Sequence, residues 1–289
     1  MPRTGTAPHL IDLDARPELS SAALAALVAH GPGRHHLVSG FAHRMGQPPH
    51  PDDLRDCLGV ILAVRGSQVL GVLALCPYAR DQATLWGPTM PTGADGKVAS
   101  ALVAEAKRAL GAAGYESARV LADIRNRPAR AFLLTQGFTP WKDDVLYECA
   151  LMPGETGGVR LAAPADRVAL TSILTESFPD SDHCRPGLGN REREGWRHYL
   201  IEAEGAVAGA AAVRSSGRRS WLHLIAVRPD LRVRQLGSRL LKGVLAAEAG
   251  LGMATMGLEV LADNNRAIAM YGRCGFQPRW AATVMTAPV

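Results

Sequence analysis

The chain has 289 residues, 47% hydrophobic and 20% charged, with a formal net charge of +5. Domains cluster near ~100–150 residues, so this length favours two, and the hydrophobic content excludes an intrinsically disordered chain. The basic side is 28 Arg and only 4 Lys; that mild excess permits an anionic ligand and falls short of the dense basic coat of a nucleic-acid binder.

The first half opens with a short apolar strand (His9–Asp14) and a helix (Leu19–His30), then a Pro-rich loop (Gly46–Asp53). Strands Gly59–Arg65 and Gln68–Cys76 follow, turning at Gly66-Ser67, and then a strand at Ala83–Thr89. A long helix (Gly96–Ala113), a strand (Ala118–Asp123), a short helix (Pro128–Gln136) and a final strand complete this half. The Gly/Pro-rich stretch Met152–Gly158 reads as a linker. The second half repeats the order: strand Val159–Ala163, helix Ala165–Ser177 and a charged loop (Asp180–Arg193), then strands Arg197–Ala203 and Ala206–Arg214, turning at Glu204-Gly205. Strand Ser220–Val227 precedes helix Gln235–Ala249, which places Leu236, Leu240, Leu241, Val244 and Leu245 on one face. Strand Met256–Leu261, helix Arg266–Arg273 and a last strand end the chain.

The two halves are a duplication. A shift of 138 positions brings Val69 and Gly71 onto Val207 and Gly209, and Pro91 onto Pro229. It also brings Asn126 onto Asn264, Ala129 onto Ala267, Gly137-Phe138 onto Gly275-Phe276, and Pro140 onto Pro278, with no gap. Two homologous domains are expected, residues 1–152 and 153–289, each an α/β unit on a mixed sheet. The charge is uneven: the first half holds 15 basic and 14 acidic residues, the second 17 and 13.

The five cysteines (Cys57, Cys76, Cys149, Cys184, Cys274) are odd in number and scattered, with no CxxC pair. Neither a zinc ribbon nor a disulfide framework is expected. His35-His36, His43, His50 and Asp182-His183-Cys184 have no metal-ligand spacing, so no metal is expected. The first residues lack the apolar run of a signal peptide, and no stretch approaches the ~20 apolar residues that span a bilayer. The expectation is a cytoplasmic protein with no membrane or nucleic-acid partner, a monomer or homodimer.

Two stretches carry chemistry. In Val227-Arg228-Pro229-Asp230-Leu231-Arg232-Val233-Arg234-Gln235-Leu236-Gly237-Ser238-Arg239-Leu240 a strand ends, a basic turn follows and an amphipathic helix begins. The first N–H groups of a helix lack internal partners and its dipole favours negative charge, so the turn can cradle phosphate. On spacing alone it fits equally an ordinary strand-turn-helix with solvated arginines. In Leu258–Phe276 an Asn-rich turn caps a short helix that carries Tyr271 ahead of Gly275-Phe276. A phenol aimed into a cleft can protonate a leaving thiolate, and a phenol in a helix–sheet core is the competing reading.

Together these stretches resemble the Gcn5-related N-acetyltransferase (GNAT) family. The phosphate signature, Gln/Arg-x-x-Gly-x-Gly/Ala after a strand ending Val-x-Pro, reads Val227-Arg-Pro229 and Arg232-Val-Arg-Gln235-Leu-Gly237. The later signature reads Asn264, Ala267, Tyr271 and Gly275-Phe276. The resemblance covers residues 159–289 directly and residues 8–150 through the repeat, and it implies two tandem acyl-CoA N-acyltransferase domains, an arrangement similar to mycothiol synthase. It implies acetyl-CoA as cosubstrate, with the pantetheine arm along Ile225, Ala226 and Val227. The pyrophosphate would lie on the N–H groups of Arg232, Val233, Arg234, Gln235, Leu236, Gly237 and Ser238. Asn264 and Tyr271 would stand near the thioester, Tyr271 as general acid, and His223 takes the strand position of the family's frequent Glu base. The arginines expected to meet a ligand are Arg228, Arg232, Arg234 and Arg239.

One departure is Gln235, where the family has Gly. The first half departs further: Ala94 replaces Arg232, Asp95 adds negative charge, Leu133 stands for Tyr271 and Leu85 for His223. The expectation is a degenerate first domain and an N-acetyltransferase acting on a small-molecule primary amine in the second. The alternative is a non-catalytic acyl-CoA-binding or regulatory protein on the same fold. Asp180, Asp182 and Glu192 are the expected ligands for a cationic acceptor.

Overall fold

A computed structural model describes residues 8–28, 54, 57–90, 96–179, 181–184, 186–231 and 235–289. The first half folds as β1 (His9–Asp12), α1 (Ser20–Val28), β2 (Gly59–Arg65), β3 (Gln68–Pro77), β4 (Gln82–Thr89), α2 (Gly96–Ala112), β5 (Ser117–Asp123), α3 (Arg127–Thr135) and β6 (Thr139–Ala150). The second folds as β7 (Arg160–Leu161), α4 (Arg167–Ser177), α5 (Leu188–Arg193), β8 (Trp196–Ala203), β9 (Ala206–Ser216), β10 (Arg219–Val227), α6 (Leu236–Gly250), β11 (Thr255–Leu261), α7 (Asn265–Arg273) and β12 (Gln277–Pro288). The charged segment Asp180–Arg193, expected as loop, contains a 3-10 turn at Asp182–Cys184 and α5. No described helix is long and apolar enough to cross a membrane.

The shift of 138 holds from β2 to the chain end, each element overlapping its counterpart, and fails ahead of β2, at β1 against β7 and at α1 against α4. Local chemistry explains two of the repeated landmarks. Asn126 caps α3 by accepting from the Ala129 N–H at 3.0 Å, and Asn264 caps α7 by accepting from the Ala267 N–H at 3.2 Å. The Glu204-Gly205 turn has positive φ at both residues (55° and 77°), as a tight hairpin requires.

The residues divide into two compact units by strand pairing. The first holds the described residues up to Asp143 together with Ala281–Val289; the second holds Asp144–Trp280. In the first, antiparallel β1, β2, β3 and β4 are followed by β5, parallel to β4, and Ala282–Pro288 of β12 closes the sheet against β5. In the second, antiparallel β7, β8, β9 and β10 are followed by β11, parallel to β10, and Asp144–Ala150 of β6 closes it. The boundary at Met152/Pro153 follows the repeat; the units follow hydrogen bonds, which place Asp144–Met152 with the second unit and Ala281–Val289 with the first. Which edge a closing strand joins is a long-range choice that hydrophobic alternation does not encode.

In the second unit α6 buries Leu236, Leu240, Leu241 and Val244 against Tyr199, Val213, Met256 and Leu258. The opposite face packs Leu170, Ile173 and Leu174 of α4 on Leu200, Ala210, Ala212, Leu224 and Ala226. Gly243 lets α6 lie directly on the linker, since a Cβ there would stand 2.2 Å from the Thr156 carbonyl oxygen. Under α6 lies a polar network around Glu248, which is fully buried. Arg197 donates to its two carboxylate oxygens at 2.7 and 2.6 Å, Tyr199 at 2.6 Å and Ser220 at 2.5 Å, and Arg197 also bonds Ser215. Burial alone would raise the carboxyl pKa, but the bonds from Arg197, Ser220 and Tyr199 outweigh it and hold Glu248 below the ordinary value.

Candidate active site

The site is built where β10 and β11 part. Their parallel pairing is confined to Arg219–Trp221 with Thr255–Gly257, while β11 stays paired to β6 as far as Leu261. Past Trp221 the Leu222–Ala226 edge of β10 therefore meets no strand on the β11 side among the described residues and can hydrogen-bond an extended amide-bearing arm as a strand would. A bulge between Leu222 and Leu224 in the β10–β9 ladder falls at His223. Ile225 and Val227 turn toward the α6 core, and Ala226 toward α4. The first unit shows the same geometry: β4 and β5 pair only at Gln82–Thr84 with Ser117–Arg119. There Leu85 and Leu133 are buried in the core, so neither counterpart offers a proton-transfer group. A cavity of about 370 Å³ in the first unit, lined by Asp81, Gln82, Glu116 and Ser117 among others, lies at the paired end of β4 and β5, away from that opening.

At the mouth of the opening, the chain passes through a 3-10 turn (Pro229–Leu231) to the start of α6. Arg232, Val233 and Arg234 lie outside the described residues. Arg228 is engaged by Asp230 at 2.8 Å, and Arg239 is exposed. Gln235 occupies the helix N-cap in a left-handed conformation (φ 56°, ψ 13°), with no side-chain capping bond. The N–H groups of Leu236, Gly237 and Ser238 belong to the first turn, where an anion is stabilised. Gly237 also serves packing, since a Cβ there would stand 3.2 Å from Met270 Sδ. The left-handed backbone gives the family's Gly a second reason besides room for phosphate. Gln235→Gly is expected to raise stability by about 0.5–1 kcal/mol, the left-handed strain removed less the entropy of the new glycine. Urea denaturation midpoints check this, and a lower midpoint would contradict it.

Tyr271 sits on α7 in the core cluster against which Ile225 and Val227 of β10 also pack, 7% exposed, with its ring 5.7 Å from that of Phe276. Burial pushes its pKa up to about 12, and its hydroxyl bonds none of the described residues. Such a phenol keeps its proton at neutral pH and has it available for a base that forms beside it. Asn264 stands at the start of α7 with its side-chain oxygen committed to the cap.

His223 is exposed and lies on the α4/α5 side of the sheet, packed against Trp196 (5.0 Å between ring centroids) and His183 (5.5 Å). The surrounding protein, with Arg191 and Arg214, pushes its pKa down to about 4. The neutral ring can accept a proton at physiological pH. His223 packs with Trp196 and His183 on the α4/α5 side of the sheet, whereas Tyr271 packs with Phe276 in the α6-side core.

Of the three expected acidic acceptor ligands, the Glu192 side chain alone falls within the described residues. Glu192 is paired with Arg167 at 2.5 Å, and its other oxygen lies 3.9 Å from His198. Asp180 and the Asp182 side chain lie outside the described residues, as do His35, His36, His43 and His50. Sequence reasoning missed Trp196 and His198, whose i, i+2 spacing on β8 puts both on the His223 face. It also missed His183 as a partner of that face.

His183 and His198 are 3% and 2% exposed, and burial is the main cause that lowers both pKa values, His183 to about 2. Both are neutral in the fold and take up protons in the unfolded chain below about pH 6.5. Stability should therefore fall as pH drops below that value, the His183 contribution approaching about 1.4 kcal/mol per pH unit and His198 acting in the same direction. Urea denaturation between about pH 7 and 5 measures the slope. His183→Gln should flatten it, and an unchanged slope would contradict the assignment.

Residues 167–276 match the Acetyltransferase (GNAT) family. A mycothiol acetyltransferase of Clavibacter michiganensis subsp. michiganensis is 32% identical over 118 residues, which is 39% of each chain. The match thus spans well under half of that relative's length. A mycothiol acetyltransferase of Paenarthrobacter aurescens is 26% identical over 96% of this chain and 88% of its own. The N-alpha-acetyltransferase RimI of Mycobacterium tuberculosis is 30% identical over 44% of this chain and 83% of its own. Among solved structures, a tandem GNAT protein from the clavulanic acid biosynthesis pathway superposes with a TM-score of 0.68 at 18% identity, covering 98% of both chains. A mixed sheet with one parallel pair that opens beside a helix N-terminus, present twice, defines a tandem acyltransferase fold. The chain belongs to the Acetyltransferase (GNAT) family.

Proposed function

We propose that the chain transfers the acetyl group of acetyl-CoA to the primary amine of a small molecule, with the chemistry in the second unit. The observation that carries this reading is the short β10–β11 pairing, which parts beside a helix N-terminus, with a protonated phenol at Tyr271 that bonds none of the described residues and an exposed imidazole at His223 in the same unit. Bound acetyl-CoA supplies the activated thioester. The Leu222–Ala226 edge of β10 holds the extended arm, and the first turn of α6 meets the pyrophosphate. His223 takes a proton from the acceptor ammonium, leaving the amine lone pair for attack, and Tyr271 gives its proton to the departing sulfur. Two relatives named mycothiol acetyltransferase favour an acceptor of the mycothiol type. The first unit, with Leu85 and Leu133 at the two proton-transfer positions, acts as scaffold.

A second reading is a binding or regulatory protein that kept the fold, favoured by the strained Gln235. Thermal unfolding with increasing acetyl-CoA, paired with amine-dependent thiol release, separates the two. The enzymatic reading expects a rising melting temperature and thiol release. A rise without thiol release for any amine supports the second reading, and no rise at millimolar acetyl-CoA contradicts both.

A further inference from the structure

Two buried imidazoles lie behind His223 that acetyl transfer as described does not use. His183, in the turn Asp182–Cys184, and His198, on β8, bring their Nε2 atoms within 2.9 Å. At that distance one ring donates and the other accepts, so a single proton lies between them. The turn that carries His183 is held in place, and a carboxylate stands beyond hydrogen-bond reach of His198. Arg191 Nε donates to the His183 carbonyl at 2.9 Å, and Glu192, itself held by Arg167, reaches to 3.9 Å from His198 Nδ1. The His183 ring meets the Trp196 ring edge-on at 4.7 Å and lies 5.5 Å from that of His223, which rests on both.

We propose that His183, fixed by its bond to His198, is a positioning residue that holds the His223 imidazole in place to receive the proton of the acceptor amine. The inference rests on the proposed acetyl transfer for its kinetic readout only. An exposed histidine on a strand otherwise samples several rotamers, and two ring neighbours select one. Apolar side chains would fill the space behind His223 without fixing an orientation, whereas the Nε2–Nε2 bond sets the His183 ring plane. Burying two imidazoles is costly, and the shared proton offsets part of that cost. Charged and titratable groups face His223 from each element around it: Arg191 from α5, Arg214 from β9, and His183 from the 3-10 turn, with His198 of β8 behind. In the transfer the ammonium N–H bond breaks, the proton joins a nitrogen of His223 and leaves to water, and the proton shared by His183 and His198 stays where it is.

The test uses the full chain, with turnover followed as thiol release from acetyl-CoA and a panel of small primary amines across a pH series. NMR titration of the His223 ring runs in parallel. His183→Ala is expected to lower kcat about 10-fold or more, with KM for acetyl-CoA within about twofold. It should also move the acid limb and the His223 midpoint upward, because water enters the emptied space. His183→Gln, whose amide reaches toward His198, should recover most of the rate. The proposal is overturned if a folded His183→Ala keeps both the acid limb and the His223 midpoint, or if His183→Gln is no better than Ala. Should His183→Ala fail to fold, His198→Gln and the His223 midpoint in His183→Gln decide by the same criteria. If the unaltered chain turns over no amine, or His223→Ala turns over normally, the catalytic reading fails, and the NMR midpoints still decide whether His183 positions His223.

Discussion

Tyr271→Phe should lower turnover by about 10²-fold or more while the dissociation constant for acetyl-CoA stays within about twofold. The substitution removes one oxygen. The ring stays packed against Phe276 in the α6 core, so the opening between β10 and β11 keeps its shape. The phenol bonds none of the described residues, so its loss strands no hydrogen-bond partner among them and costs little stability. What disappears is the proton offered to the leaving sulfur, a contribution needed only in the transition state. Single-turnover kinetics beside calorimetric titration of acetyl-CoA separate the two effects. Unchanged turnover would remove Tyr271 from the chemistry, and loss of donor binding would make its role structural.

Glu248→Ala is the expected largest loss of stability, about 3–5 kcal/mol, because it leaves the Arg197 charge, two serines and the Tyr199 hydroxyl without their common acceptor. Glu248→Gln should cost less, since the amide keeps one acceptor. The pH dependence gives an independent check. The folded carboxyl is held below its ordinary value of 4.5, so its contribution is complete above that value and is lost as pH falls through the lower, folded one. The Gln variant should lack that part of the acid-side decline. Urea denaturation of both variants measures this, and a cost under about 1 kcal/mol for Ala would show that the network is not a unit.

Much of the fold was legible because its signals are local. The Asn126 and Asn264 caps act over three residues, Glu204-Gly205 adopts its turn in place, and the Leu236–Val244 stripe needs only helical spacing. The duplication was legible because the shift of 138 needs no gap from β2 onward, each element overlapping its counterpart. The closing strands were not, because β6 and β12 choose partners far away in sequence. The site divided along the same line. The phosphate turn and the Asn264–Tyr271 signature are contiguous motifs, whereas His183 meets His198 across 15 residues, Arg167 meets Glu192 across 25, and Arg197 meets Glu248 across 51. Glu248 stood four positions after Val244 on the apolar face of α6, the one signal that hinted at a buried carboxylate. Glu192, by contrast, looked available only because its partner Arg167 was remote.

Coenzyme A bound in a crystal of the full chain tests the central claim most directly. The account predicts the pyrophosphate at the N–H groups of Leu236–Ser238, the pantetheine arm along the Leu222–Ala226 edge of β10, and the sulfur facing the Tyr271 hydroxyl. Coenzyme A bound in the first unit alone, or in the second with its sulfur turned away from Tyr271 and His223, would contradict it.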